Sequence, residues 1–370
     1  MELKTLFSPS KIGNVKIKNR IVRSATYTHS ATDDGHATDL LTKYHTDLAE
    51  GGTGLIITGI VSIDEEGKIN EGQACLSNDS HIKSHREMVD AVHEFSDVKI
   101  APQLSHAGRQ GRNPVAPSPV LFRPRNVVPR EIKIEEIKEV VKNFINAGKR
   151  AYECGYDLLQ LNAGHGWLLS NFLSPYTNKR TDEYGGILLN RIRILIEIYE
   201  GILDEVGKDF PIFAKLQIQD FLEEGLIIEE GKKIAKILID TGFAALEPTG
   251  GGGHTTLNRT KIYPSFVVKS EEEENYFLPA LKELKPVTKN CKLILMGGVR
   301  NPITAEKLLN DGTVDFVAFS RPLICEPDLP NRWKKGDYAS ALCNSCNQCY
   351  KSTRTGSLKC IIKDQLLSKV

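Results

Sequence analysis

Eight short apolar or alternating runs recur along the chain, at 21–27, 54–59, 99–105, 157–163, 211–218, 244–250, 292–298 and 315–321. Between them, 135–154, 190–206, 229–241 and 304–310 repeat apolar residues at helical spacing. Several of these segments close on a glycine (Gly155, Gly207, Gly242, Gly312), which tolerates the left-handed turn after a helix. No half of the chain is all strand or all helix. The pattern predicts an α/β fold, a (β/α)8 TIM barrel. A doubly wound sheet is the alternative, but no run is followed by a G-x-G-x-x-G turn opening a helix. The chain has 370 residues, long for one domain but ordinary for such a barrel.

A barrel does its chemistry at the carboxyl ends of its strands. Polar and glycine residues gather there: Ala25, Thr26 and Tyr27; Gly59; Gln103; Asn162 and His165; Lys215; Thr249; Gly297 and Gly298; Ser320 and Arg321. Segments 108–131 and 167–186 read as loops over such a site. Lys215 lies inside an apolar run, where a charge needs a partner, and Asp220 or Glu247 would supply one. Gln103 would pair with a ligand or cross-link the barrel. The ends of the seventh and eighth runs suit a phosphate, with glycines admitting backbone N–H groups and Arg321 adding a charged fork. Two tight turns with a surface arginine are the plainer reading. The acidic run at 271–274 reads as the solvated start of a helix.

Near the end stands Cys343-x2-Cys346-x2-Cys349-x10-Cys360, four of the chain's eight cysteines. A cubane [4Fe-4S] cluster takes a tight run of three thiolates and one remote ligand. Zinc normally uses two separated C-x2-C knuckles, and disulfides need an oxidising compartment. A zinc site and unligated thiols stay open as alternatives. Cys75, Cys154, Cys291 and Cys325 are scattered and read as small buried apolar residues. The division expected is 1–335 for the barrel and 336–370 for a cysteine-rich segment packed on it. Net charge is +1, which argues against nucleic acid or an anionic membrane as main partner. No run of about 18 apolar residues suggests a membrane helix. The start, Met1-Glu2-Leu3-Lys4, lacks a signal-peptide core, so a cytoplasmic protein is expected.

Several segments together carry a resemblance. They are Leu6-Phe7-Ser8-Pro9, Lys18-Asn19-Arg20-Ile21-Val22, Gln103-Leu104-Ser105-His106-Ala107-Gly108-Arg109, Phe172-Leu173-Ser174-Pro175 and the run from Asn178 through Gly186. Asn190-Arg191 and the two phosphate segments add to them. The chain resembles the Old Yellow Enzyme family of FMN-dependent oxidoreductases from residue 3 to about 330. Its cysteines resemble those of the iron–sulfur subgroup related to 2,4-dienoyl-CoA reductase and trimethylamine dehydrogenase.

The resemblance implies a non-covalent FMN, with NAD(P)H or a partner protein as electron donor and an activated alkene or enone as small-molecule substrate. It puts Ala25 and Thr26 on the isoalloxazine, and Gly59 and Gln103 at its pyrimidine edge. Lys215 falls near N1, and Gly297, Gly298, Ser320 and Arg321 fall at the phosphate. Tyr27 falls near C4 and N5, where it tunes the flavin or simply packs. Asn162-Ala163-Gly164-His165-Gly166-Trp167 stands where relatives have His-x-x-His/Asn-Gly-Tyr. Asn162 and His165 remain as donors that polarise a substrate oxygen. Trp167 replaces the tyrosine that donates a proton in many relatives, and an indole N–H is no useful acid. His254 falls where dienoyl-CoA reductases place a catalytic histidine, or is a surface residue. Homo-oligomers occur among relatives. A non-catalytic electron-transfer subunit and a flavin-free aldolase or isomerase barrel are the competing classes.

Overall fold

The computed structural model describes residues 2–252, 266–354, 356–363 and 365. Twelve strands are described. An antiparallel hairpin comes first, β1 (Ser10–Ile12) with β2 (Val15–Ile17). The barrel strands are β3 (Ile21–Arg23), β4 (Leu55–Ser62), β5 (Lys99–Ser105), β8 (Leu159–Ala163), β9 (Ile212–Gln219), β10 (Ala245–Gly250), β11 (Lys292–Leu295) and β12 (Phe316–Phe319). They close in that order as a parallel barrel, β12 pairing β3. Between β5 and β8 a small pair forms, β6 (Val115–Ala116) with β7 (Arg130–Glu131).

The outer layer is helical. It comprises α1 (Asp39–Glu50), α2 (His81–His93), α3 (Ile134–Glu153), α4 (Leu168–Leu173), α5 (Leu188–Val206), α6 (Ile228–Thr241), α7 (Leu278–Leu284), α8 (Pro302–Asn310) and α9 (Arg321–Cys325), with α10 (Leu329–Lys334) and α11 (Cys349–Ser352) beyond the barrel. Each amphipathic helix lays an apolar stripe on the sheet; on α3 it runs Ile137, Val140, Val141, Phe144, Ala147, Ala151. With helices outside and side chains filling the lumen, all five residues of β8 are buried.

The expected barrel is present, and the departures from the expected strands lie mostly at the carboxyl ends. β3, β11 and β12 stop at Arg23, Leu295 and Phe319, because the polar and glycine residues that follow leave the ladder for site loops. β4 runs on to Ser62 through a bulge between Ile57 and Ile60, and β10 is irregular between Thr249 and Gly250. Both irregularities face the site, where bulges re-aim side chains. The hairpin plugs the other end: a Cβ on Gly13 would come within 3.0 Å of Pro211, just before β9. The acidic run is only partly solvated. Glu274 is buried, pairs with Arg300 at 3.1 Å and accepts from the amides of Arg300 and Asn301.

Candidate active site

The barrel lumen beneath the site is polar and fully enclosed. Parallel register sets Glu247 of β10 beside Lys215 of β9, and Gln160 of β8 beside Gln103 of β5. Neighbouring strands lie about 4.8 Å apart, so these side chains meet. Lys215 Nζ is 3.3 Å from Glu247 Oε1 and donates to Ser24 Oγ at 3.0 Å. Ser24 Oγ donates to Glu247 Oε1 at 2.6 Å, and Gln160 Nε2 donates to Oε2 at 2.8 Å. Gln103 Nε2 donates to Gln160 Oε1 at 2.6 Å. Of the two carboxylates expected for Lys215, Glu247 is the partner. Asp220 instead accepts from Leu226 N at 2.7 Å and from Ser174 and Gln217, and burial pushes its carboxyl above the usual range.

Asn162 and His165 each have a separate partner within the protein. Asn162 Nδ2 donates to Ser105 Oγ at 3.2 Å, while its buried Oδ1 has no hydrogen-bond partner among the described residues. His165 lies in a left-handed conformation (φ 58°), with Nε2 2.6 Å from Thr249 Oγ1. Burial, and then the charge of Lys215, hold its imidazole well below its ordinary pKa. It is therefore a neutral hydrogen-bonding group at physiological pH. Trp167 caps α4 and presents no acid.

At the ends of the first and last barrel strands, Thr26 Oγ1 and Ser320 Oγ are 2.8 Å apart. Ala25 packs at the edge of the core. A Cβ on Gly59 would come within 2.7 Å of Thr26 O, so only glycine permits this approach. Gly297 and Gly298 adopt φ of 107° and 83°, with the Tyr276 ring against both. Tyr27 does not point its hydroxyl at this group. The hydroxyl donates to Glu71 O at 3.0 Å and contacts Asn70, and burial raises its pKa. His254 lies outside the described residues.

The cysteines of the C-terminal segment gather beside Arg321. Cys343, Cys346, Cys349 and Cys360 line one small cavity together with Arg321 and Asn347. Arg321 Nη1 donates to Asn347 Oδ1 at 2.7 Å and to Ser345 O at 3.3 Å. The residue expected at a phosphate thus reaches into the cysteine loop. The segment is also stitched to the loop after β3: Leu358 N donates to Thr28 O at 2.8 Å, and His29 Nδ1 is 2.6 Å from Thr353 O. Ser345 and Asn347, on either side of Cys346, are left-handed (φ 59° and 60°). Among the described residues, no three His, Cys, Asp or Glu side chains gather closely enough to hold a single metal ion.

Some site residues escape sequence reasoning. Gln160 links Gln103 to Glu247 in the lumen network, and only strand register reveals it. Cys325, expected as a plain buried thiol, is buried but also sits within hydrogen-bonding reach of Cys360. Its place one helical turn after Arg321 is the available signal.

The donor set fits a flavin with a phosphate tail. A buried amide, a buried lysine and the Asn162 Oδ1, which has no partner among the described residues, face the lumen end, and left-handed glycines with a serine hydroxyl stand at the ends of β11 and β12.

Comparison with known proteins agrees. The profile of the NADH:flavin oxidoreductase / NADH oxidase family matches residues 5–340. An NADH oxidase of Thermoanaerobacter brockii is 37% identical over 351 residues, covering 92% of this chain and 52% of that protein. An NADPH dehydrogenase of Bacillus cytotoxicus is 32% identical over 329 residues, covering 88% and 90%. The structure of a 2-naphthoyl-CoA reductase in complex with 2-naphthoyl-CoA superposes with a TM-score of 0.88 at 27% identity, covering 98% of this chain and 58% of that one. The chain spans about half the length of the T. brockii protein. With a profile match across most of its length, the chain belongs to the NADH:flavin oxidoreductase / NADH oxidase family, the FMN-dependent oxidoreductases of the Old Yellow Enzyme type.

Proposed function

We propose that the chain is an FMN-dependent oxidoreductase that moves reducing equivalents between NAD(P)H and an activated alkene or enone, and that Cys343, Cys346, Cys349 and Cys360 hold a [4Fe-4S] cluster. The observation that carries the reading is Arg321. It opens the helix after β12, at the expected phosphate end, and its guanidinium hydrogen-bonds the loop between Cys343 and Cys349. On this reading Arg321 stands where the two centres would meet.

Bound FMN supplies the hydride acceptor and donor. Gln103 and Lys215 hold its pyrimidine side from the lumen, with Gly59 giving the backbone room to approach. Gly297, Gly298, Ser320 and Arg321 would hold the phosphate. His165, neutral because it is buried, hydrogen-bonds the substrate oxygen together with the Asn162 amide. Trp167 gives up no proton, and the Tyr27 phenol is held by Asn70 and Glu71 with its pKa raised, so the proton comes from His254 or from solvent. The left-handed residues beside Cys346 favour a cluster, since such turns direct backbone N–H groups into anion-binding concavities. Four cysteines lining one cavity are the number of thiolates a cubane takes.

Anaerobic turnover with NADH and NADPH against a panel of cyclic enones tests the activity. Oxidation of either nucleotide coupled to alkene reduction is expected. An FMN-loaded protein that turns over with no donor would overturn the reading in favour of a non-catalytic electron-transfer subunit.

A further inference from the structure

The lumen holds one carboxylate to which the proposed reaction gives no role. Glu247 is fully buried on β10, and both of its oxygens are engaged: Oε1 by Lys215 and Ser24, Oε2 by Gln160. Apolar side chains fill barrel lumens, and replacing a buried ion pair with them is often neutral or stabilising. Stability alone therefore does not account for two charges here. The arrangement around Glu247 does. Its partners lead directly to Lys215, through Gln160 to Gln103, and through Ser24 to the backbone that continues into Ala25 and Thr26. Every group that would face the pyrimidine side of the flavin from the lumen is thus tied to one negative charge.

We propose that Glu247 is a positioning residue that sets the flavin reduction potential by offsetting the charge of Lys215. This rests on FMN occupying the barrel mouth. A cation beside the flavin favours its reduced, anionic form and raises the potential. A carboxylate 3.3 Å from that cation takes back part of the effect. The positive field is felt nearby, since Lys215 also contributes to keeping His165 neutral.

The test is a spectroscopic redox titration of the bound flavin in Glu247→Gln, Glu247→Asp and Lys215→Met, with FMN content and melting temperature measured in parallel. Glu247→Gln keeps the shape and is expected to move the midpoint potential to more positive values. Lys215→Met is expected to move it the other way. Glu247→Asp keeps the charge and is expected to stay near wild type. The proposal is overturned if Glu247→Gln retains FMN with an unchanged potential. It is also overturned if Glu247→Asp shifts as far as Glu247→Gln, which would make the effect one of geometry rather than charge. Wild-type protein that retains no FMN would instead overturn the flavin reading beneath it.

Discussion

In the barrel lumen Ser24 and Glu247 meet across 223 positions of sequence, whereas Cys343, Cys346 and Cys349 share one short loop. The lumen is held by strand register: Lys215 sits beside Glu247 and Gln103 beside Gln160 because β9 pairs β10 and β5 pairs β8. The cysteine segment has no barrel ladder behind it. It hangs on side chains and single backbone bonds, such as Arg321 to Asn347, Arg300 to the Cys343 carbonyl at 3.4 Å, and Leu358 to Thr28. A site built from local spacing is loosely anchored and easy to read. A site built from register is rigid and hidden in sequence.

Cys346→Ala should separate the two regions most sharply. It is expected to abolish iron content and cluster absorbance while leaving FMN bound and the barrel folded, because no lumen contact among the described residues passes through Cys346. If FMN is lost as well, the two regions are one cooperative unit and the contrast fails.

A second difference concerns protons. His45 and His85 are buried, and burial pulls their imidazoles down to about 4 and about 3. The unfolded chain, with its histidines near 6.5, takes up protons first as pH falls. Stability is therefore fully present above about pH 7 and is lost as pH drops through 6.5 toward about 4 for His45 and about 3 for His85. The loss is on the order of 2 kcal/mol per histidine by pH 5. Urea midpoints should fall between pH 7 and pH 5, with a shallower slope in His85→Gln. A flat profile would mean that these rings are not held neutral.

A smaller effect probes the lumen alone. Gln160→Leu leaves Gln103 and one Glu247 oxygen each short of a hydrogen bond. The cost should be about 2 kcal/mol in denaturant unfolding, with the iron content unchanged. A change in iron would show that the lumen and the cysteine segment communicate.

What is legible in the sequence follows the same division. The barrel shows in the repeating runs because strands buried on both faces are nearly continuous apolar stretches. The cysteine set shows in spacing alone. Glu247 stands out only as one of two carboxylates near Lys215, and Gln160 not at all, since no local pattern marks which lumen residues become neighbours. The hairpin β1–β2 is absent from the expected elements, although Gly13-Asn14 between two alternating runs signals a two-residue turn. Glu274 looks solvated by its charged neighbours, yet its partner Arg300 lies 26 positions away.

On the proposed reading Arg321 stands between two cofactors, which requires one chain to carry both. The most direct measurement is FMN, iron, acid-labile sulfide and zinc per chain in anaerobically purified protein. About one FMN with about four irons and four sulfides is expected. One FMN with zinc, or with no metal, would contradict the cluster and make the cysteine segment a structural appendage of a plain flavin barrel.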